Sequence, residues 1–294
     1  MKKTSKALFR GVATALITPF KDGRIDYYSL EKLLEFQIEN GVDAILINGT
    51  TGEGATLSDE EKRELIAFTI KKVNKRVPTV AGTGSNSTQK ALELSKFASA
   101  SGADALLVVT PYYNKASREG LLKHYTSIAD AVDAPTIVYN VPSRTGMNIP
   151  LEIYRELARH ENIIGVKEAS SSMSDFARLS AACGDLLALY SGNDDLILPT
   201  LILGGSGVIS VLSNLLPRET AELCKLYFSG KTNEATALQL ELLPLINALF
   251  SEVNPIPIKA LLAHRGFCRE EYRLPLCPLE EAKRKAIIEI AERY

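Results

Sequence analysis

Histidine is scarce in this chain, and cysteine nearly as scarce: three of the 294 residues are His and four are Cys. A metal-dependent enzyme needs several His, Asp or Glu ligands converging on one cation. Here His124, His160 and His264 all lie away from the ends of predicted strands, and neither HExxH nor a paired-cysteine spacing occurs, so no metal is expected. Cys183, Cys224, Cys268 and Cys277 stand far apart in a chain too long for a disulfide-stapled mini-domain. They read as reduced thiols of a cytoplasmic protein. Charge of one sign is missing too. Lys plus Arg number 34 against 35 Asp plus Glu, a net charge of −1, which leaves no basic surplus for a run of phosphates and excludes nucleic acid as an expected partner. Long hydrophobic runs are also absent. The longest are about five to seven residues against the ~20 of a membrane helix, so no membrane span is expected. Leu8-Phe9 is interrupted at once by Arg10-Gly11, which argues against a signal peptide. Finally, the nearest approach to a dinucleotide fingerprint, Gly82-Thr83-Gly84-Ser85-Asn86-Ser87, lacks its third glycine and follows the third strand, and no Walker loop is present. The chemistry must come from side chains, with no cofactor.

What is present is an α/β pattern. With 46% apolar residues the chain can fill one large core. Eight short, β-branched apolar runs recur: Val12 to Ile17, Ala44 to Ile47, Thr79 to Ala81, Ala105 to Val109, Thr136 to Tyr139, Ile163 to Val166, Leu187 to Tyr190 and Val208 to Val211. Each is bounded by Gly, Asn, Asp or Pro, as befits strands of a parallel sheet buried on both faces. Amphipathic stretches separate them. Leu30, Leu33, Leu34 and Ile38 share a face of one helix, Thr88 to Ala98 and Glu119 to Ala129 follow the same period, and Ser58 with Glu61 forms a capping box at another start. Eight alternations predict a (β/α)8 TIM barrel over residues 1–230, with an open doubly wound sheet as the alternative. After Arg218 to Phe228, the last barrel helix, residues 231–294 read as a small C-terminal helical extension with helices at Asn233 to Phe250, Ile258 to His264 and Leu279 to Glu292.

In such a barrel the working residues lie at the C-terminal ends of strands. The sixth strand ends in Lys167, the fifth in Tyr139, the second in Asn48-Gly49-Thr50-Thr51-Gly52-Glu53 and the fourth in Thr110-Pro111-Tyr112-Tyr113-Asn114; Arg144 follows the fifth. A lysine closing an inward-pointing strand is a candidate nucleophile, since desolvation would favour its neutral amine. The alternative is a lysine that snorkels out of the rim. Strand alternation places Ile163, Gly165 and Lys167 on one face, with Gly165 leaving space beneath the lysine stem. Tyr139 can shuttle protons or simply fill the core, and Arg144 can clamp a carboxylate or simply be solvated. Thr50-Thr51-Gly52 offers hydroxyls and N–H groups to an anion. Leu203-Gly204-Gly205-Ser206-Gly207 precedes its strand and reads as a tight turn.

Taken together, these residues resemble the pyruvate-dependent class I aldolase family that includes dihydrodipicolinate synthase and N-acetylneuraminate lyase. The resemblance runs from Gly11 to about Lys259. Gly49-Thr50-Thr51-Gly52-Glu53 is similar to the family's G-[ST]-T-G-E element, Tyr139-Asn140-Val141-Pro142 to its Y-N-x-P element, and Ile164-Gly165-Val166-Lys167-Glu168 to its Schiff-base strand. Thr50, Arg144, the Tyr112-Tyr113 pair and Asn254-Pro255-Ile256-Pro257-Ile258-Lys259 resemble the synthase branch; a lyase or 2-keto-3-deoxy sugar acid aldolase using the same lysine is the alternative. The resemblance implies a Schiff base of pyruvate on Lys167, its carboxylate on Thr50 and Thr51, and L-aspartate 4-semialdehyde held by Arg144. Tyr139, Thr51 and Tyr113 would relay protons, Tyr113 from a neighbouring subunit of a homodimer or a tetramer of two dimers. Gly192 and Ile209 match further pocket positions. At positions matching the family's L-lysine effector site stand Asp59, Lys62, Asn86, Lys90 and Tyr112, a set whose two ammonium groups would repel that ligand.

Overall fold

The computed structural model describes residues 7–294. Eight parallel strands close into a barrel: β1 (Gly11–Ala15), β4 (Ala44–Ile47), β5 (Thr79–Gly82), β6 (Ala105–Val109), β7 (Thr136–Asn140), β8 (Ile163–Glu168), β9 (Ala188–Ser191) and β10 (Gly207–Ser210). They are hydrogen-bonded in sequence order, with β1 joined to β10 at the seam. A (β/α)8 barrel with C-terminal helices is therefore the architecture, and the open sheet is excluded. Between β1 and β4 a small antiparallel hairpin, β2 (Phe20–Lys21) and β3 (Arg24–Ile25), turns at Asp22-Gly23, both with positive φ. This hairpin was not foreseen, because two-residue strands carry no readable alternation. β1 stops at Ala15 and does not continue to Ile17, whose N–H is held by the side chain of Asn214, Oδ1 at 3.1 Å, in place of a strand partner.

Two apolar layers hold the barrel. The inner one is built from small residues (Ala13, Ala15, Ala44, Ala105, Ala188) that leave room for Phe9 and Tyr190, whose rings stack 4.3 Å apart. The Tyr190 hydroxyl donates to the Phe9 carbonyl at 3.0 Å, which satisfies a buried phenol. The outer layer lies between strands and helices and runs without a break into Leu245, Leu249, Ile258, Leu262 and Ile287 of the C-terminal helices. Strands so covered on both faces are apolar throughout, which is why the eight runs could be read. At the seam, a Cβ on Gly207 would sit 1.9 Å from the Gly11 carbonyl oxygen, so only glycine lets β1 and β10 meet.

Helix starts follow their caps. Asp26 caps Tyr27–Glu39 through the Ser29 N–H at 3.2 Å. Ser58 and Glu61 exchange the two bonds of a capping box at the head of Asp59–Val73. The C-terminal helices span Thr232–Leu249, Ile256–His264 and Glu281–Ala291. Among the described residues no helix is long and apolar enough to cross a membrane.

One local expectation is corrected. The register between β7 and β8 shifts after Thr136, which pairs with Ile163, so that Ile137 pairs with Gly165. The extra residue turns Ile163 to the outer layer, whereas Ile164 packs against the inner one. Ile163 therefore does not share the face of Gly165 and Lys167; a bulge resets the alternation.

Candidate active site

Because β7 and β8 are in register at their C-terminal ends, Tyr139 pairs with Lys167 and Asn140 with Glu168. The Lys167 Nζ lies 4.5 Å from the centre of the Tyr139 ring, over its face. Lys167 is only 5% exposed, so it does not snorkel to the rim. Burial pushes its amine down to about 8, against the pull of the Asp194 carboxylate and with a further push from Arg144. Burial raises the Tyr139 phenol, and Arg144 and the Thr50 hydroxyl oppose that rise. An amine that is easily deprotonated and a phenol that stays protonated are thus held side by side.

The room for the lysine stem comes from a different glycine than expected. A Cβ on Gly165 would meet the Ala188 carbonyl oxygen at 2.7 Å, so Gly165 makes space for β9 and not for Lys167. A Cβ on Gly192 would lie 2.6 Å from the Ala169 Cβ and 3.1 Å from the Lys167 Cε. Gly192, in the loop after β9, is the residue that lets the lysine stem pass.

A cavity of about 530 Å³ opens above Lys167. Lys167, Tyr139, Thr50 and Arg144 line it, and so do Asp59, Lys62, Asn86, Lys90 and Tyr112, so nine of the thirteen expected positions share one continuous space. The other four sit elsewhere. Thr51 is buried behind the wall, where its Oγ1 accepts a hydrogen bond from Asn254 Nδ2 at 3.0 Å. Ile209 packs in the inner apolar layer. Gly192 underlies the lysine. Tyr113 is 93% exposed, with φ +68°, and points outside the cavity wall.

Several residues that hold the site went unread. Asn140 Nδ2 donates to both Glu168 carboxylate oxygens at 3.0 Å and to Asn148 Oδ1 at 2.7 Å; Tyr154 and the Ser170 N–H also donate to Glu168. This buried carboxylate ties the end of β8 to the loop that carries Arg144. On the opposite side Glu53 and Lys259 form an ion pair with both side chains fully buried. The Lys259 Nζ also donates to the Glu271 carbonyl at 2.9 Å and lies 4.2 Å from the Phe20 ring centre. The only advance signals were position: Glu168 and Asn140 directly follow Lys167 and Tyr139, and Lys259 closes the Asn254 motif.

A buried lysine beside a tyrosine in a cavity can form an imine with a keto acid. Comparison with known proteins agrees. A model of the dihydrodipicolinate synthetase family matches residues 8–293, further at both ends than the motifs reached. A 4-hydroxy-tetrahydrodipicolinate synthase of Clostridium perfringens is 51% identical over 275 residues, 94% of each chain. The crystal structure of the dihydrodipicolinate synthase of Thermotoga maritima superposes with a TM-score of 0.96 at 42% identity, covering 98% of this chain and 99% of that one. The dihydrodipicolinate synthase of Cyanidioschyzon merolae, solved with lysine bound, gives 0.94 at 40%, covering 98% of each. The chain belongs to the dihydrodipicolinate synthetase family.

Proposed function

From that membership we propose that this chain is a lyase condensing pyruvate with L-aspartate 4-semialdehyde to give 4-hydroxy-tetrahydrodipicolinate, the reaction named for its curated relatives and a step toward diaminopimelate and lysine. The observation that carries the reading is a buried lysine with its amine lowered to about 8, packed over Tyr139 at the floor of a cavity that also contains Arg144. Nothing observed favours a sugar-acid aldolase.

The Lys167 amine adds to C2 of pyruvate, and loss of one water leaves the imine. Thr50 and Thr51 are assigned to the pyruvate carboxylate, through hydroxyl and backbone N–H groups. The imine draws electrons from C3, a methyl proton leaves, and the enamine carbon bonds to the aldehyde carbon, whose oxygen takes up a proton. The amino group of the second substrate then attacks C2 and displaces the Lys167 amine, which closes the ring. Tyr139 is assigned the proton transfers at the carbinolamine and Tyr113 the relay to solvent; the hydroxyl beside Tyr139 is that of Thr50, not the expected Thr51, which is turned behind the wall to Asn254, so the threonine step of the relay is assigned to Thr50. Arg144 is assigned the carboxylate of the aldehyde substrate, by a bidentate pair that lysine could not reproduce. Gly192 and Ile209 shape the floor. Residues 231–294 belong to the same catalytic unit, because Asn254 and Lys259 reach back to the Thr50–Glu53 loop.

A homo-oligomer of dimers fits Tyr113. It adjoins Tyr112, which lines the cavity, yet is itself turned outward, as a residue lent to a neighbouring copy would be. The cytoplasm is the assigned compartment. The test is intact mass after borohydride reduction with pyruvate. Wild type should gain one pyruvate-sized adduct and Lys167→Ala none; wild type without an adduct would overturn the mechanism.

A further inference from the structure

The loop that follows β4, from Asn48 to Gly54, is left-handed near both ends: φ is +58° at Asn48 and +53° at Glu53. Residues other than glycine keep such angles only where their surroundings fix them. Asn48 is fixed by the neighbouring strand, its Nδ2 donating to the Gly82 carbonyl at 2.7 Å. Glu53 is fixed from the far end of the chain. One of its carboxylate oxygens accepts from Lys259 Nζ and the other from the Arg273 N–H at 3.2 Å, 206 and 220 positions away. Lys259 has no freedom of its own. Its side chain is fully buried beside the rings of Phe20 and Tyr272, and its Nζ also donates to the Glu271 carbonyl at 2.9 Å. The Glu53 N–H in turn donates to the Thr50 carbonyl at 3.1 Å, and Thr50 lines the cavity. A single chain of contacts thus runs from the C-terminal helices through Lys259 and Glu53 to the cavity wall.

A buried ion pair is a poor means of stabilising a fold, because an apolar pair of equal volume often does as well. What it supplies is direction. A buried carboxylate must meet its donors, and the backbone of Glu53 follows the carboxylate. We propose that Glu53 and Lys259 are positioning residues for the keto-acid carboxylate: the pair sets the turn of the Thr50–Glu53 loop and so aims the Thr50 hydroxyl and the loop's N–H groups at that carboxylate. Neither side chain touches the substrate in this role. The inference rests on the assignment of pyruvate to Lys167 and of its carboxylate to this loop.

The test compares two carbonyl compounds in borohydride trapping on the full-length enzyme, read as the rate of modification of the peptide that carries Lys167. One is pyruvate; the other is acetone, which lacks the carboxylate. The double variant Glu53→Met, Lys259→Met removes both charges together at similar volume, so no buried charge is left unpaired. Its trapping by low pyruvate should slow at least about tenfold and recover toward the wild-type rate at saturation, the mark of lost binding and not of lost chemistry. Trapping by acetone should stay within about threefold of wild type. Glu53→Gln, which must turn an amide NH2 toward one of two donors, should move the pyruvate-to-acetone ratio the same way, and it serves if the double variant does not fold. A ratio equal to that of wild type, whether both rates hold or both fall together, would overturn the inference and leave the pair a purely structural one. Wild type that traps pyruvate no faster than acetone would remove the carboxylate assignment, and wild type without an adduct would remove the mechanism; the inference would fall with either.

Discussion

Lysine at its ordinary value near 10.5 is almost wholly protonated at neutral pH and useless as a nucleophile, so the burial of Lys167 has a direct kinetic consequence. With the amine lowered to about 8, roughly 9% is free base at pH 7, against about 0.03% for an exposed lysine, a gain of about 300-fold in reactive amine. The energetic counterpart is a charged state disfavoured by about 3 kcal/mol. Its sign follows from linkage: between pH 8 and 10.5 the unfolded chain binds the extra proton, so this penalty on folding is complete below pH 8 and disappears as pH rises past 10.5. Competitive acetylation with a trace of acetic anhydride measures the amine directly. The peptide carrying Lys167 should reach half its maximal labelling near pH 8, whereas the side chain of free Nα-acetyl-lysine added to the same reaction should do so near 10.5. Asp194→Asn is the perturbation. The Asp194 carboxylate draws the Lys167 amine upward, so its neutralisation should move the midpoint further down and raise labelling at pH 7. Co-titration of Lys167 with the free Nα-acetyl-lysine, or an upward shift in Asp194→Asn, would refute the account.

Three further outcomes follow from the same geometry. Glu53→Gln leaves Lys259 buried without its counter-charge, a change that costs about 3–5 kcal/mol in such pairs. For a chain of this length that is about 5–8 °C in Tm. Because burial already lowers the Lys259 amine, the deficit should shrink as pH rises and the lysine becomes neutral; a calorimetric Tm drop under about 2 °C would argue that the pair is dispensable. Gly192→Ala puts a methyl group 3.1 Å from the Lys167 Cε, and the displaced amine should form its pyruvate adduct at least about tenfold more slowly; an unchanged trapping rate would show that the stem has room. L-Lysine should inhibit weakly or not at all, since Lys62, Arg63 and Lys90 line the cavity where it would bind and Asp59 already faces Lys62 at 3.5 Å. A micromolar inhibition constant in a steady-state assay would contradict this.

How much of this could be read in advance depended on whether the signal was local. Strands covered on both faces declare themselves as apolar runs, and a barrel places every strand's C-terminal end on one rim. Lys167, Tyr139, Thr50 and Arg144 were therefore found by their position at or just beyond those ends, with no knowledge of packing. The failures were of two kinds. The first was a small local irregularity: one extra residue in β8 turned Ile163 outward, and alternation cannot show where a bulge lies.

The second kind is less easily mended. Asn254 and Thr51 are 203 positions apart, Lys259 and Glu53 206, and Arg144 and Asn254 110. Each of these residues has, in its own neighbourhood, the look of a solvated loop or helix residue. Its burial makes physical sense only with a partner from the other end of the chain, because an unpaired buried charge or amide is costly. The reacting groups of the site are thus placed by regular structure, and the direction of their hydrogen bonds by contacts that regular structure does not imply.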